Sequence, residues 1–250
     1  MTPRRRDERR VPHTPAFASD LDPAIVQLHS NDYRSPSQLA DGLVLVVGLG
    51  HSGADLAMEV AAAGHPVIVS GKGHGELPWS VDSRAGRIAW PAMKFVAMKL
   101  LTLRTPIGRK MASEIRKGGA PLLRHRRSDL LKASVELTEA RTASVKDGKP
   151  ALADGRLLDV ANVIWCTGFG PDFGWIDLPI FDHDGWPLQE HGVVTSTPGL
   201  YFLGLIFQSG FASMLVIGAA RDAAHVVDRI ASRIAQTASS RAAPTPSGAS

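Results

Sequence analysis

Leu43-Val44-Leu45-Val46-Val47-Gly48-Leu49-Gly50-His51-Ser52-Gly53 is the stretch that decides the fold of this 250-residue chain. Its first half, entered from Asp41-Gly42, is a continuous β-branched and leucine run, which predicts a strand buried on both faces of a parallel sheet. The glycine loop follows at once. Ala54 to Ala63 then supplies good helix formers, closed by Gly64 as a C-cap. Val67-Ile68-Val69 predicts the next strand, so strand, loop, helix and strand make one β-α-β unit. Each glycine has a physical purpose. Gly48 permits the tight turn, Gly50 lets backbone approach a pyrophosphate, and Gly53 allows close helix–strand packing. The phosphates would meet free N–H groups at the positive end of the helix. A glycine turn with no ligand is the alternative, and the full β-α-β setting weighs against it.

Which dinucleotide binds is decided about twenty residues further on, where a carboxylate would take the ribose 2′-hydroxyl of NAD or FAD. Ser70-Gly71-Lys72 stands there instead. Lys72 can neutralise a 2′-phosphate, which favours NADP(H). The competing reading is a lysine that simply points to solvent. The candidate cofactor residues are therefore Gly48, Gly50, His51, Ser52 and Gly53, with Ser70 and Lys72.

The rest of the composition narrows the class. An apolar share of 44% and a charged share of 21% suit a globular protein. One cysteine, Cys166, excludes an internal disulfide, a dithiol pair and a cysteine-rich zinc site. The net charge is +4, with basic runs at Arg4–Arg10 and from Arg104 to Lys132. These read as solvated faces, and no interleaved aromatics or reader motif points to nucleic acid. No apolar run is long enough to cross a bilayer, and no signal-type h-region follows the Arg-rich start, so the default expectation is a cytoplasmic protein without an integral membrane segment.

Along the chain, residues 1–20 show little apolar pattern and are expected to be disordered, and 21–42 to be a linker. Residues 88–103 are apolar with Lys94 and Lys99 spaced along them, which predicts a helix packed on the domain. A membrane-surface helix is a distant second reading. Arg104 to Leu131 is basic and helical, broken at Gly118-Gly119 and Pro121. Asp147-Gly148 and Asp154-Gly155 predict a small β-meander. Val160 to Trp165 reads as a buried strand, Leu200 to Leu203 as the last strand, and Ala212 to Ile234 as a long final helix. Gln236 to Ser250 is expected to be a disordered tail.

Four stretches together resemble the flavin-containing monooxygenases, and most nearly the bacterial FAD- and NAD(P)-binding flavoproteins that carry a potassium-transport label. Gly48-x-Gly50-His51-Ser52-Gly53 is similar to that family's second glycine loop, with His51 where asparagine is commoner. His29-Ser30-Asn31-Asp32-Tyr33-Arg34 resembles the end of its F-x-G-x-x-x-H-x-x-x-F/Y fingerprint, although Pro23 and Ile25 stand where Phe and Gly are expected. Val163 to Phe169 resembles the A-T-G motif leading back to an FAD domain. Pro198 to Gly204 resembles the C-terminal strand and turn beside the flavin.

The resemblance implies an α/β, Rossmann-like flavoprotein fold with two dinucleotide-binding domains. It assigns 43–160 to the NADP domain, with a helical insertion and β-meander, and 161–235 to the C-terminal part of the FAD domain. The family's earlier glycine loop for FAD has no counterpart in this sequence. The FAD domain is expected to be incomplete, through a truncated reading frame or in a stripped-down protein that binds NADP(H) alone. Apolar surface near Ile164 and Phe202 should then be exposed. In the family NADPH reduces FAD, and the reduced flavin takes up dioxygen to oxygenate a small-molecule substrate. The cofactors carry that chemistry, and no side chain is nominated as catalytic. His29, Thr167, Gly168, Gly204, Phe211 and Ala212 become cofactor candidates on this likeness, with Phe211 and Ala212 offering backbone to the flavin. His29 is equally readable as a structural histidine, and Cys166 as an inert core residue. Asp172, Asp177, Asp182 and Asp184 read as a solvated loop. The alternatives to an NAD(P)H-dependent flavin-linked oxidoreductase are a non-enzymatic NADP(H)-binding module or half of a flavoenzyme completed by a partner or by oligomerisation, and, third, a remnant with no selected function.

Overall fold

Val44, Leu45 and Val46 are wholly buried at the centre of a five-stranded sheet, in a computed structural model that describes residues 10–77, 83–116 and 121–242. Strands β1 (Arg10–Pro12), β2 (Val26–His29), β3 (Val44–Val47) and β4 (Val67–Ser70) are followed by β5 (Glu136–Thr138), β6 (Thr142–Lys146), β7 (Lys149–Leu152), β8 (Asn162–Trp165) and β9 (Phe169–Pro171). The helices are α1 (His51–Ala62), α2 (Arg84–Phe95), α3 (Pro106–Arg116), α4 (Arg127–Lys132) and α5 (Val216–Ala242). The sheet order is β2-β8-β3-β4-β5, with every pairing parallel.

Both faces of β3 are covered, which is why its sequence reads as an unbroken apolar run rather than an alternation. Val44 and Val46 pack with Ala54, Ala57 and Val60 of α1 and Leu130 of α4. Leu45 and Val47 pack with Val163 and Trp165 of β8, with Leu152 of β7, and with Leu158 beyond the β6–β7 hairpin. Each such fully buried side chain contributes about 1.5–3 kcal/mol of apolar transfer free energy. The hairpin turns at Asp147-Gly148, both with positive φ, as the sequence predicts.

The chain divides into two units, Met1–Trp90 with Lys117–Phe173, and Pro91–Arg116 with Gly174–Ser250. The first holds the parallel sheet. In the second, the 96–100 segment forms a π-helical turn after α2, and Leu101–Leu103 pairs with Ser209–Phe211 through main-chain hydrogen bonds. Arg116 lies over the Trp186 ring at 5.1 Å, and Ile180, Phe207 and Gln208 are fully buried.

Several expectations are corrected. Residues 10–20 are ordered: β1 pairs antiparallel with β9, and Phe17, Ala18 and Leu21 pack against the Trp165 cluster. Residues 1–9 lie outside the described residues. The 21–42 linker contains β2, an edge strand whose Gln27 and His29 interrupt the apolar pattern while Gln27 Oε1 accepts from Trp165 Nε1 at 3.2 Å. β8, placed by resemblance in a second domain, lies between β2 and β3. The helical insertion Pro91–Arg116 groups with the C-terminal residues rather than with the glycine loop.

Leu200–Leu203 is not a sheet strand. Tyr201 makes a single bridge to Val193, in a stretch bent by Gly199 and Gly204 at positive φ. Residues 211–214 form a 3₁₀ turn before α5, and α5 runs through to Ala242, because Ala, Arg, Gln and Ser at 235–242 tolerate a helix. The tail residues 243–250 and the Gly118-Gly119 break lie outside the described residues. Ile164 and Phe202 are themselves buried, Ile164 against α1 and its neighbours in the sheet, while beside Phe202 the apolar Leu203 is 54% exposed.

Candidate dinucleotide-binding site

The sheet order reverses between β3 and β8, and the glycine loop emerges at that point from the carboxyl end of β3. Gly48 has φ +110° and donates its N–H to the Ser70 carbonyl at 2.8 Å. A β-carbon on Gly48 would overlap the Cys166 carbonyl, and one on Gly53 would overlap the Gly48 carbonyl. Gly50 differs, since a β-carbon there would have no neighbour within 4 Å. The loop is thus closed from within at both ends and open in its middle.

α1 starts directly after Gly50. No side chain caps it and no acidic residue lies in its first turn. Its leading N–H groups have no intrahelical acceptor, and the helix dipole adds positive potential there. Open space beside unblocked backbone donors fits a diphosphate, so residues 48–53 would hold that part of NADP(H). Ser52 is exposed on the first turn. His51 turns its Nε2 to the Pro121 carbonyl and so fastens residues 121–125 against the helix start. Between that segment and His51, Ala54 and Asp55 lies a half-open cleft of about 180 Å³. Arg124 and His125 face Asp55 across it at 3.9 and 3.7 Å.

Past β4 the two expected residues part company. The Ser70 side chain is buried and its hydroxyl is bonded to Thr142 Oγ1 at 2.7 Å, because position 70 faces the β6–β7 hairpin. It ties sheet to hairpin and is withdrawn as a side-chain contact to a cofactor. Lys72 is exposed. A second cation stands beside it that the sequence did not single out. A β-carbon on Gly73 would lie 3.7 Å from Arg127 Nη1 and 3.3 Å from Leu49 Cδ2. The Arg127 guanidinium and Leu49 thus both flank Gly73, with Arg127 Nη2 3.5 Å from Glu139. The Arg127 main-chain N–H donates to Glu76 Oε2 at 3.0 Å. The only sequence signal was the basic run ending at Lys132, which distance along the chain separates from the loop.

His29, Thr167 and Gly168 are brought together at the ends of β2 and β8. His29 is buried; its Nδ1 accepts from the Asn31 N–H at 3.1 Å, so the protonated Nε2 donates to the Gly168 carbonyl at 3.2 Å. Burial lowers its pKa below 6.5, which keeps the ring neutral. Thr167 Oγ1 bonds the His13 carbonyl. With both ring nitrogens engaged, His29 positions the turn. Burial pushes the Cys166 thiol up to about 12, so it is inert as a nucleophile.

In the second unit, Gly204 is open on its Cβ side. Phe211 and Ala212 have part of their backbone engaged within the chain. The Phe211 N–H donates to the Leu101 carbonyl at 2.8 Å, and the Ala212 carbonyl accepts from Leu215 at 2.9 Å. Asp182 accepts from the N–H groups of Asp184 and Trp186, a turn rather than a metal cluster, and no metal-binding group occurs among the described residues.

A glycine loop at the switch point of a parallel sheet, opening an uncapped helix, defines a Rossmann-type dinucleotide-binding fold. Residues 24–116 match the FMO-like family, described as flavin-binding monooxygenase-like. Over 220 residues the chain is 34% identical to an uncharacterized CzcO-like oxidoreductase of Geobacillus kaustophilus, covering 88% of this chain and 61% of that protein. It is 31% identical to the uncharacterized oxidoreductase CzcO of Bacillus subtilis, covering 88% and 62%. The chain is thus similar to the CzcO-like oxidoreductases and spans about three fifths of their length.

Two solved structures share the fold. One is a flavin-containing monooxygenase from Stenotrophomonas maltophilia (TM-score 0.56, 20% identity, 90% of this chain and 60% of that one). The other is the cadaverine monooxygenase DfoA of Erwinia amylovora, solved with FAD (TM-score 0.58, 14% identity, 88% and 58%).

Proposed function

We propose that this chain is the NADP(H)-binding portion of an NAD(P)H-dependent, flavin-linked oxidoreductase of monooxygenase type acting on a small molecule in the cytoplasm. The observation that carries the reading is the loop at residues 48–53, locked at Gly48 and Gly53 and open at Gly50, against the uncapped start of α1. Bound there, NADPH would supply hydride. The chain's own residues bind and orient it. Gly48–Gly53 take the diphosphate on backbone N–H groups, and Lys72 with Arg127 take the 2′-phosphate of the adenosine. His29 holds the Thr167-Gly168 turn at the neighbouring strand end.

Of the backbone groups expected at a flavin, the Phe211 N–H and the Ala212 carbonyl are engaged within the chain. FAD enters the reading from the FAD-bound relative of Erwinia amylovora and from the family description. If flavin is held, a homo-oligomer or a complementing FAD-domain partner would supply its remaining contacts.

A titration of the purified full chain with NADPH, followed by nucleotide fluorescence, tests the core of this reading. Saturable binding that is weaker for NADH is expected. Failure to bind either nucleotide would overturn it. Visible flavin absorbance in the same sample would support the enzyme, and its absence alongside NADPH binding would favour a non-enzymatic module.

A further inference from the structure

We infer that the segment running from the end of α2 through α3 is a docking face for an anionic lipid surface. Among the described residues no helix is long and apolar enough to cross a membrane, so the attachment is peripheral. The inference is independent of the nucleotide reading and rests on residues 94–110.

These elements pack the wrong way round for a helix that merely covers a domain. Their buried positions are small: Ala97 in the π-helical turn, and Gly108 and Ala112 in α3. Their large apolar side chains face outward instead. Phe95 is 59% exposed, Leu100 48% and Ile107 67%. On α2 itself, one to two turns before Phe95, Ile88 is 82% and Trp90 47% exposed. A covering helix would bury these residues and turn small or polar ones to water.

Charge says what they meet. Lys94, Lys99, Arg104, Arg109 and Lys110 all lie within residues 94–110, are exposed, and have no carboxylate among them; the exposed Glu114 of α3 follows one turn after Lys110. Long basic side chains can lay their stems along apolar surface while their heads reach outward. Aromatic and aliphatic groups interleaved with lysine and arginine match the acyl boundary and the anionic headgroups together. A nucleic acid would use the cations but has no place for Leu100 and Ile107, and a protein partner would need acidic groups to answer five cations. The lipid surface uses both features.

Co-sedimentation of the full chain with large vesicles tests this, using phosphatidylcholine with and without phosphatidylglycerol. Partition is expected only onto the anionic vesicles, and should fall as salt rises. Lys94→Glu with Lys99→Glu should weaken it by at least ~10-fold. Phe95→Ser with Ile107→Ser should weaken it comparably while leaving the charge intact. Hydrogen exchange on the unmodified chain, with and without anionic vesicles, should show protection confined to residues 94–110, which keeps the test valid if a variant misfolds. No partition, equal partition onto neutral vesicles, or protection elsewhere would overturn the proposal. So would tight DNA binding that the apolar double variant leaves unchanged, which would reassign the face to nucleic acid.

Discussion

Gly48 and Cys166 follow adjacent parallel strands, and the Cys166 carbonyl oxygen fills the space that a side chain on Gly48 would need. Cys166 is held there by donating its N–H to the Val47 carbonyl at 2.8 Å. The turn is therefore shaped by the neighbouring strand as well as by its own sequence. The same contact brings the ends of β3 and β8 together, so loop geometry and sheet topology constrain one another. Gly50, two residues on, has no such neighbour, and the difference separates folding from binding.

Gly48→Ala should cost at least ~2 kcal/mol of stability, since it combines a positive-φ alanine with an overlap against main chain. Gly50→Ala should cost under about 1 kcal/mol, the loss of a good N-cap residue. It should nevertheless weaken NADPH binding by at least ~10-fold, because its methyl would stand where the diphosphate approaches. Urea denaturation and nucleotide titration on both variants check this. A Gly50→Ala protein that binds normally would refute the open-cradle assignment.

Lys72 and Arg127 make a prediction about selectivity. Charge-assisted bonds to a 2′-phosphate are each worth about 1.5–3 kcal/mol. Lys72→Ala and Arg127→Ala should each weaken NADPH binding about tenfold or more and leave NADH nearly unchanged. Equal losses for both nucleotides would mean that the guanidinium supports the loop rather than reading the phosphate.

The β-α-β unit was legible because its signals are local: an apolar run, three glycines at fixed spacing, and a helix closed by Gly64. The candidate residues 48–53 follow from that alone. Arg127 was not legible, since long-range contacts carry it back beside Gly73: Leu122 pairs with Gly75 and Leu77, and the Arg127 main-chain N–H bonds Glu76. β2 was missed because an edge strand needs one apolar face, and Gln27 and His29 break the run that a central strand would show. Ser70 was misread for a related reason: position in the sequence gave its distance from the loop, while the face of β4 it occupies depends on the hairpin packed there. The outward-facing Phe95 and Ile107 look in sequence like ordinary core positions, and only the burial of small residues opposite them reveals the inversion.

His29 should make stability depend on pH. Its folded-state pKa lies below 6.5 through burial, so the unfolded chain binds the extra proton first as pH falls. Stability is full above about pH 6.5 and declines below it, until the folded-state pKa is passed. His191, also lowered by burial, adds to the same slope. His29→Gln should flatten part of that decline when melting is followed from pH 7.5 to 5. An unchanged slope would show that His29 is protonated in place without cost.

Asn162 gives the strongest purely structural prediction. It is fully buried in β8, with Oδ1 accepting from the Ala40 N–H and Nδ2 donating to the Ala40 carbonyl, both at 2.8 Å. The side chain thus stands in for a strand at the point where residues 36–40 pass the sheet without pairing to it. Asn162→Ala strips partners from two main-chain groups in part-buried surroundings, where each unsatisfied group costs about 1–3 kcal/mol. A loss of about 2–4 kcal/mol is expected in urea unfolding, at an unchanged dependence on denaturant. Asn162→Asp is the sharper probe. It keeps the acceptor for the Ala40 N–H but sets a carboxylate against the Ala40 carbonyl, so it should be at least as damaging at neutral pH and recover partly in acid, where the protonated acid can donate. If neither variant moved the unfolding midpoint, residues 36–40 would have to be held by their neighbours alone, and the role given to this side chain would be wrong.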